Sequence, residues 1–377
     1  FIDLETSINE FIYNELTNNP LLYSDKSFYN ELTENISSNY YEEWKSAELC
    51  DENDKEEIEK FIYDIVLNFF DTYEEWPHRS YYKLNHINDT NETESILTYL
   101  KNIPQPKQRT MEWYEYRHNL ITASSLWKVF GTESNVNSLI YEKCSPFNPI
   151  QGNKFKGGSL EWGNIFEPLS IQIYEKTYNT KIEDFGCIQH PNYEYIGASP
   201  DGINTDPSSD KFGRMLEVKN IYNREINGIP KEEYWIQMQI QLETCNLDVC
   251  DFLETRFVEY EDIEDFYNDI EHEFRGYILY FIKSNEMKYM YLPLETILEV
   301  ENIEKWKNET LNQMKEDGYA LMKEVYWYLD ELSCVVVKRN KKWFECAITK
   351  ILEIWNTIQT EKKEGYEHRA AKKRIQS

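Results

Sequence analysis

The chain has 377 residues, of which 41% are hydrophobic and 15% aromatic, and its net charge is −28. This length and aromatic content predict two or three folded domains and argue against a disordered chain. There is no run of about eighteen apolar residues and no basic cluster near the start, so neither a membrane span nor a signal peptide is expected. The seven scattered cysteines contain no CxxC pair, which favours free thiols in a reducing, intracellular compartment.

Residues 1–100 are predicted to be an acidic helical region. They carry 23 acidic and 6 basic side chains, a balance of −17. Apolar residues recur at helical spacing, for example Ile58, Ile62, Ile65 and Phe69. This pattern favours a solvated helical cap with an acidic outer face, and the alternative is a surface that docks a partner or competes with DNA. The acidity weakens attraction for nucleic acid, although metal ions can supply part of the missing positive charge.

Two prolines within three residues, Pro104 and Pro106, predict the boundary of a second region that extends over residues 101–292. Near its start, Arg117 and Ser124 fall in a stretch that predicts two short helices. A guanidinium group and a hydroxyl at a helix N-terminus can together bind an anion. Taken alone, however, the residues favour a surface ion pair for Arg117 and a plain helix cap for Ser124.

A basic loop and a helix follow in the chain. Residues 154–158 read Lys-Phe-Lys-Gly-Gly, which favours a surface loop, with a loop that stacks on or steers a DNA end as the alternative. The helix predicted over residues 160–178 is expected to kink or restart at Pro168, because proline disfavours helical geometry in the preceding residue. Such a break would direct the Glu167 carboxylate inward.

The next motifs carry the chemistry. Pro200 and Gly202 predict a reversal of the chain after a short strand, with Asp201 at the turn. A following strand alternates in polarity, so Glu217 and Lys219 point to one of its faces. Carboxylates placed in this way can hold a divalent metal while an ammonium group orients a water or a phosphate. The combination indicates a nuclease.

The elements predicted after this strand carry fewer residues that indicate a reaction. A helix is expected over residues 231–244 and a strand over residues 249–260. The helix carries Gln237, which by itself is typical of a surface position. A further strand is expected at residues 289–292.

Residues 293–377 are predicted to be a helical C-terminal region, with apolar positions that include Leu321, Val325 and Leu329. Within it, residues 338–344 place four basic side chains beside a tryptophan and a phenylalanine. That combination is equally typical of a DNA-facing ledge and of a solvated turn between helices. The basic residues 372–374 are expected to form a mobile tail.

Taken together, these motifs resemble the lambda exonuclease family, or YqaJ-type viral recombinases, in the form found in large DNA viruses. The resemblance covers residues 111–258. Its ordered elements are Arg117-His118-Asn119-Leu120-Ile121-Thr122-Ala123-Ser124, Gly163-Asn164-Ile165-Phe166-Glu167-Pro168, Ser199-Pro200-Asp201-Gly202, Glu217-Val218-Lys219 and the spacing Tyr234-x-x-Gln237-x-Gln239. Five elements in order are far more specific than one short motif. One departure is Asn220-Ile221, which stands where this family commonly has Cys-Pro after the lysine.

The resemblance implies a fold class as well. The family belongs to the PD-(D/E)xK nucleases, so the expected fold is α/β, with a restriction-endonuclease-like core. In that core, a small mixed β-sheet is flanked by helices. Here it would be extended by the helical regions at both ends of the chain.

The resemblance also implies roles for individual residues. The implied ligands of Mg²⁺, for which Mn²⁺ is an expected substitute, are Asp201, Glu217, the Val218 carbonyl and, for a second ion, Glu167. Lys219 would orient and help to deprotonate the attacking water, with its pKa lowered by the metals. Gln237 would position Lys219 or the water. The implied ligands of the 5′-terminal phosphate of DNA are Arg117, Ser124 and Ser199.

The function implied by the family is 5′→3′ digestion of duplex DNA ends to mononucleotides, in viral recombination, repair or DNA processing. A single-strand annealing protein is a candidate partner, and replication sites in the host cytoplasm or nucleus are the expected location. Phage relatives form rings that encircle DNA, and the flanking helices here can replace or block those contacts. The alternatives are an alkaline-nuclease-like enzyme with endonuclease or RNA-degrading activity and a partner-binding scaffold. The four residues Glu167, Asp201, Glu217 and Lys219 argue against the scaffold, because an inactive site has no need of them.

Overall fold

A computed structural model of the chain describes residues 2–25, 27–84, 89–107, 110–148, 158–284 and 286–371. The predicted basic loop therefore lies outside the described residues except for Gly158, and the predicted basic tail lies outside them entirely. Within these ranges, no helix combines the length and the apolar character needed to cross a membrane.

The N-terminal part of the described chain is helical, as predicted. Its helices are α1 (Ile2–Asn18), α2 (Phe28–Ser46), α3 (Lys55–Thr72) and α4 (Thr90–Lys101). In α3, residues at helical spacing form one buried stripe, which includes Ile58, Ile62 and Phe69. Glu56 and Glu57 lie in the first turn of this helix, where negative charge interacts favourably with the helix dipole.

Helices and short strands lie between α4 and the longer strands of the protein. The helices are α5 (Met111–His118), α6 (Ala123–Leu126), α7 (Glu133–Cys144) and α8 (Ser159–Tyr178). The strands are β1 (Ile121–Thr122), β2 (Ile182–Glu183), β3 (Ile188–Gln189), β4 (Ile196–Ala198) and β5 (Gly202–Asn204).

The second half of the chain contains the longer strands. These are β6 (Met215–Asn220), β7 (Val249–Glu259), β8 (Arg275–Lys283), β9 (Glu286–Tyr291) and β10 (Ala320–Lys338). The helices between and after them are α9 (Glu232–Cys245), α10 (Ile263–Asn268), α11 (Val300–Glu316) and α12 (Lys341–Glu364). The predictions of α9, β7 and β9 agree with these bounds to within a few residues.

The strands form two sheets. One has three strands in the order β1-β4-β3, and the other has seven in the order β2-β5-β6-β7-β10-β8-β9. In the larger sheet, β6 and β7 are parallel, while β7 and β10 are antiparallel, so the sheet is mixed. The predicted fold class, a mixed sheet flanked by helices, is therefore confirmed.

Helices α8 and α9 cover opposite faces of β6. Leu216 and Val218 pack with Tyr174 of α8, whereas Glu217 and Lys219 point to the face covered by α9. This is the alternation predicted from the sequence. Because one face is apolar and the other carries charge, the register of β6 determines which side chains reach α9.

Helix α8 runs unbroken through Pro168, so the restart predicted there is wrong, while the alternative of a kink stays a prediction. A proline inside a helix costs about 3 kcal/mol, because it removes one main-chain hydrogen bond. The same helix buries Phe166, Leu169 and Ile173 completely, and each such side chain contributes about 1.5–3 kcal/mol. Packing therefore outweighs the missing hydrogen bond.

The prediction of helix for residues 320–338 is also wrong, since this stretch is the long strand β10. It pairs with β8 along its first half and with β7 along its second half. Leu321, Val325 and Leu329 are spaced by four residues, and such residues share a face in a strand as well as in a helix. The aromatic and β-branched residues around them favour the strand.

The acidic N-terminal region shares a hydrophobic core with the rest of the protein. The ring of Tyr23 lies 5.6 Å from that of Trp235 in α9, which in turn lies 5.3 Å from Trp343 in α12. The side chain of Arg79 is almost completely buried and donates to the Pro230 carbonyl at 3.1 Å. The first region is thus packed directly on α9, although its predicted boundary at residue 100 stays a prediction.

Candidate active site

The open edge of β6 creates the site. Strand β5 pairs with β6 only as far as Leu216, and no other strand among the described residues pairs with the rest of β6 on that side. The side chain of Asp201, from the turn before β5, occupies this position, and its Oδ2 accepts a hydrogen bond from the Val218 N–H at 2.7 Å. The carbonyl of Val218 points to the same side of the strand, because both main-chain groups of a strand residue do.

Glu217 lies at the centre of the site and is completely buried. Its Oε1 accepts from the ammonium group of Lys219 and from Nε2 of Gln237, the latter at 2.6 Å. Its Oε2 accepts from Nε2 of Gln241 at 2.8 Å. A buried carboxylate requires such partners, and three donors hold this one in a single orientation.

The pKa of Asp201 depends on its burial and on the neighbouring carboxylates. Burial raises the pKa of Asp201 well above its usual range, and the charges of Glu217 and Glu167 raise it further. The Lys219 ammonium group and the Val218 N–H act in the opposite direction. The charges of Glu217 and Glu167 therefore reach Asp201, while the roles predicted for these three carboxylates stay a prediction.

Asn220 holds the helix that carries Glu167. Its Nδ2 donates to the Gly163 carbonyl at 3.0 Å, and its Oδ1 accepts from the Ser170 hydroxyl at 2.7 Å. These contacts lie one turn before and one turn after Glu167 on α8. Asn220, at the position where the family commonly has Cys-Pro, therefore links β6 to α8 through hydrogen bonds.

The donor set fits a hard divalent cation in its chemistry. Carboxylate and carbonyl oxygens are the ligands that Mg²⁺ prefers, and a cation would favour the ionised form of Asp201, whose pKa burial and the neighbouring carboxylates raise. Among the described residues, no group of three or more carboxylate, histidine or cysteine side chains is already arranged around one metal position. In the protein alone, Glu217 is instead engaged by Lys219 and the glutamines of α9.

The predicted phosphate-binding residues lie beside this cluster. Arg117 lies in α5, just before β1, and Ser199 directly follows β4, the strand with which β1 pairs in parallel. Nη1 of Arg117 donates to the Ser199 hydroxyl at 2.5 Å, and its guanidinium group lies over the ring of Trp113 at 4.6 Å. Ser124 is exposed, and its hydroxyl lies 3.3 Å from that of Thr122. The structure thus joins Arg117 to Ser199 directly, with Ser124 two residues beyond β1.

Gln241, Asn220 and Lys143 are residues of the site that the sequence analysis missed. Gln241 follows Gln237 by one helical turn, so the i, i+4 spacing could have identified it. Lys143 is buried, and its Nζ donates to the carbonyl of Arg117 at 3.2 Å. No local pattern signals the contacts of Asn220 and Lys143, because both depend on packing between distant elements.

The DNA-facing ledge predicted for residues 338–344 is wrong. Trp343 and Phe344 are buried in the core, so neither ring is free to stack on a base. Arg339 is bound to Glu243 at 2.6 Å. The turn lies between a strand and a helix, which also corrects the alternative of a turn between two helices.

The mixed sheet, with Asp201 at a turn and Glu217-Val218-Lys219 on the adjacent strand, has the fold class expected of the PD-(D/E)xK family. Residues 112–248 match the family model described as the YqaJ-like viral recombinase domain, which confirms the family predicted from the sequence for this part of the chain. An uncharacterized protein of Acanthamoeba polyphaga mimivirus is 30% identical over 302 residues. The match covers 70% of this chain and 54% of the mimivirus protein, so the chain spans about half the length of that relative.

Among the solved structures that match the chain, three are of proteins described as exonucleases. An alkaline exonuclease from Laribacter hongkongensis is 18% identical, with a TM-score of 0.41 over 68% of this chain and 95% of its own. A phage-related exonuclease from Haemophilus somnus is 15% identical, with a TM-score of 0.35 over 68% of this chain and 99% of its own. The L. hongkongensis enzyme has also been solved in complex with dAMP, with a TM-score of 0.40 and 18% identity over 69% of this chain and 97% of its own.

Proposed function

We propose that this protein is a Mg²⁺-dependent exonuclease that digests duplex DNA from 5′-phosphorylated ends, in viral DNA recombination, repair or processing. The observation that carries the proposal is the direct contact between Arg117 and Ser199, two residues from Asp201. An anion-binding pair next to a carboxylate–lysine cluster supports a site that holds a terminal phosphate beside the bond to be cleaved.

The acidic residues would hold the metal. Asp201, Glu217, the Val218 carbonyl and Glu167 supply oxygen ligands, and bound Mg²⁺ would stabilise negative charge on the scissile phosphate and lower the pKa of water. Gln237 contacts Glu217 rather than Lys219, so its role is to orient that carboxylate. Mn²⁺ is expected to replace Mg²⁺, since it accepts the same hard oxygen ligands.

Lys219 would orient the attacking water as a cation. Burial lowers the pKa of Lys219, but the carboxylates of Glu217 and Asp201 outweigh burial and raise it above its usual range. The predicted lowering concerned the metal-loaded site and stays a prediction. In the protein alone, Nζ holds its proton and can donate to a water or a phosphate oxygen.

A digestion time course tests the proposal. The substrates are a linear duplex with 5′-phosphates, the same duplex with 5′-hydroxyls, a covalently closed circular duplex and an RNA duplex, each with Mg²⁺, Mn²⁺ or a chelator. We expect loss of the linear DNA from its 5′ ends with release of mononucleotides. The circle and the RNA should persist, and the chelator should stop the reaction.

Other outcomes would point to the alternatives. Cleavage of the circle at the rate of the linear duplex would identify an endonuclease, and preferred digestion of RNA would identify an RNA-degrading enzyme. If no substrate is digested with either metal while the protein still binds a partner, the scaffold interpretation would replace the proposal.

Replacing Arg117 by glutamine is expected to remove the preference for 5′-phosphorylated ends. The substitution keeps most of the side-chain volume but loses the charged donor that contacts Ser199. A hydrogen bond to a charged group contributes about 1.5–3 kcal/mol, so kcat/KM for phosphorylated ends should fall about 10–100-fold. The measurement is the ratio of kcat/KM for phosphorylated and hydroxyl ends.

Arg339→Gln is the matched control, because Arg339 is also a partly buried arginine but lies in the turn at residues 338–344. The Arg339→Gln variant should keep the wild-type preference for 5′-phosphorylated ends. An unchanged preference in Arg117→Gln would remove Arg117 from the proposed phosphate site.

A further inference from the structure

Gln241 joins the two halves of the candidate site. Its side chain is completely buried, and its Nε2 donates to Oε2 of Glu217 at 2.8 Å and to the main-chain carbonyl of Ser199 at 3.2 Å. Both partners are acceptors, so only the NH₂ group of the amide, with its two hydrogens, can satisfy them together. The orientation of this amide is therefore determined by its neighbours.

The other end of the amide has no comparable function. Oε1 of Gln241 is buried and has no hydrogen-bond partner within the part of the chain that the structure describes. An unsatisfied buried carbonyl costs about 1–3 kcal/mol. A glutamine retained at this cost is more readily explained by what its Nε2 connects than by packing, which an apolar residue would serve equally well.

Ser199 contacts both Arg117 and Gln241. Its hydroxyl accepts from Arg117 at 2.5 Å, while its carbonyl accepts from Gln241. A continuous chain of contacts thus runs from Arg117 through Ser199 and Gln241 to Glu217. A shift of Ser199 on one side changes the position of a donor to the Glu217 carboxylate on the other.

We propose that Gln241 is a positioning residue that couples occupancy of the 5′-phosphate site to the orientation of Glu217. This inference rests on the proposed function. A phosphate bound by Arg117 and the Ser199 hydroxyl would fix the Ser199 main chain, and Gln241 would transmit that constraint to Oε2 of Glu217. A 5′-phosphate then raises kcat in addition to lowering KM, because it completes the catalytic geometry.

Gln241→Met tests the coupling, since methionine has a similar volume but no N–H group. We expect the kcat advantage of phosphorylated over hydroxyl ends to fall about tenfold, the effect of losing one hydrogen bond to a charged group. The KM advantage should remain, because Arg117 and Ser199 are intact. Steady-state kinetics on duplexes that differ only in the 5′ group separate the two parameters.

Gln239→Met is the matched control. Gln239 is buried on the same helix, but its amide bonds to Lys338 and Asn340, away from the carboxylates. The Gln239→Met variant should keep both the kcat advantage and the KM advantage of phosphorylated ends, even if its folded state is less stable. If Gln241→Met does not fold, Gln241→Asn, whose shorter amide cannot reach both acceptors, should show the same loss of the kcat advantage.

The two hypotheses fail in different ways. If the wild-type protein digests phosphorylated ends preferentially and the variants of Gln241 retain the full kcat advantage, the coupling is overturned and the exonuclease stands. If the wild-type protein digests no linear duplex, or shows no difference between the two kinds of end, both the phosphate site and the coupling are overturned.

Discussion

Lys219→Ala is expected to lower the rate of cleavage about 10²–10⁴-fold while leaving duplex binding and metal binding intact. The ammonium group contacts Glu217 and lies over the ring of Tyr234 at 5.0 Å, partly exposed at the open edge of β6. A group that orients or protonates reacting atoms contributes about 10²–10⁴-fold to the rate. Glu217 keeps its hydrogen bonds from Gln237 and Gln241, so the carboxylate should stay in place.

Two measurements separate binding from chemistry. Fluorescence anisotropy of a labelled duplex should give a wild-type dissociation constant for Lys219→Ala, and single-turnover digestion should show the loss of rate. Lys323→Ala, which removes an exposed lysine paired with Glu259, is the control for the change in net charge. Near-normal digestion by Lys219→Ala would contradict the role assigned to this side chain.

The central residues of the site could be predicted from the sequence because local rules determine them. Alternation along β6 places Glu217 and Lys219 on one face, and a Pro-Asp-Gly turn places Asp201 at a strand end. Gln237 follows from the helical pattern of α9 and the family spacing. Each of these inferences needs only a few neighbouring residues.

The contacts of Asn220, and the contact of Gln241 with Ser199, could not be predicted in the same way. Asn220 contacts the Gly163 carbonyl and the Ser170 hydroxyl of α8, which lie 57 and 50 residues earlier in the chain. Gln241 acts through Ser199, 42 residues before it. Propensity and periodicity carry no information about such pairings, which form only when helices pack on the two faces of β6.

The largest error, at β10, has a different cause. Its apolar residues are spaced by four, a period that helix and strand share. Its identity as a strand is decided by pairing with both β7 and β8, which a single stretch of sequence does not reveal. The acidic N-terminal region shows the converse case, because its helical spacing predicted the helices but not their packing against Trp235.

A buried charged network lies on the face of the sheet that α8 covers. We expect it to contribute strongly to the free energy of unfolding. Asp251 is completely buried in β7, next to Leu216 of β6. Its Oδ2 accepts from Lys211 and from the Tyr174 hydroxyl, each at 2.6 Å, and its Oδ1 accepts from Arg214 at 3.3 Å. Burial raises the pKa of Tyr174 well above its usual range, and Asp251 raises it further, so the phenol stays neutral and donates.

Asp251→Ala is therefore expected to lower the free energy of unfolding by about 3–5 kcal/mol, because it removes the buried carboxylate that accepts hydrogen bonds from Lys211 and Arg214. Urea unfolding followed by circular dichroism measures the change. Asp330→Ala removes an aspartate that is 41% exposed and paired with Arg256, and should cost less than about 1 kcal/mol. Lys211→Met combined with Asp251→Ala should lower the free energy of unfolding by less than the sum of the two single effects. The reason is that Lys211→Met removes a buried charge that Asp251→Ala leaves without this carboxylate. Additive effects, or a loss no larger than that of Asp330→Ala, would show that the network does not contribute as a unit.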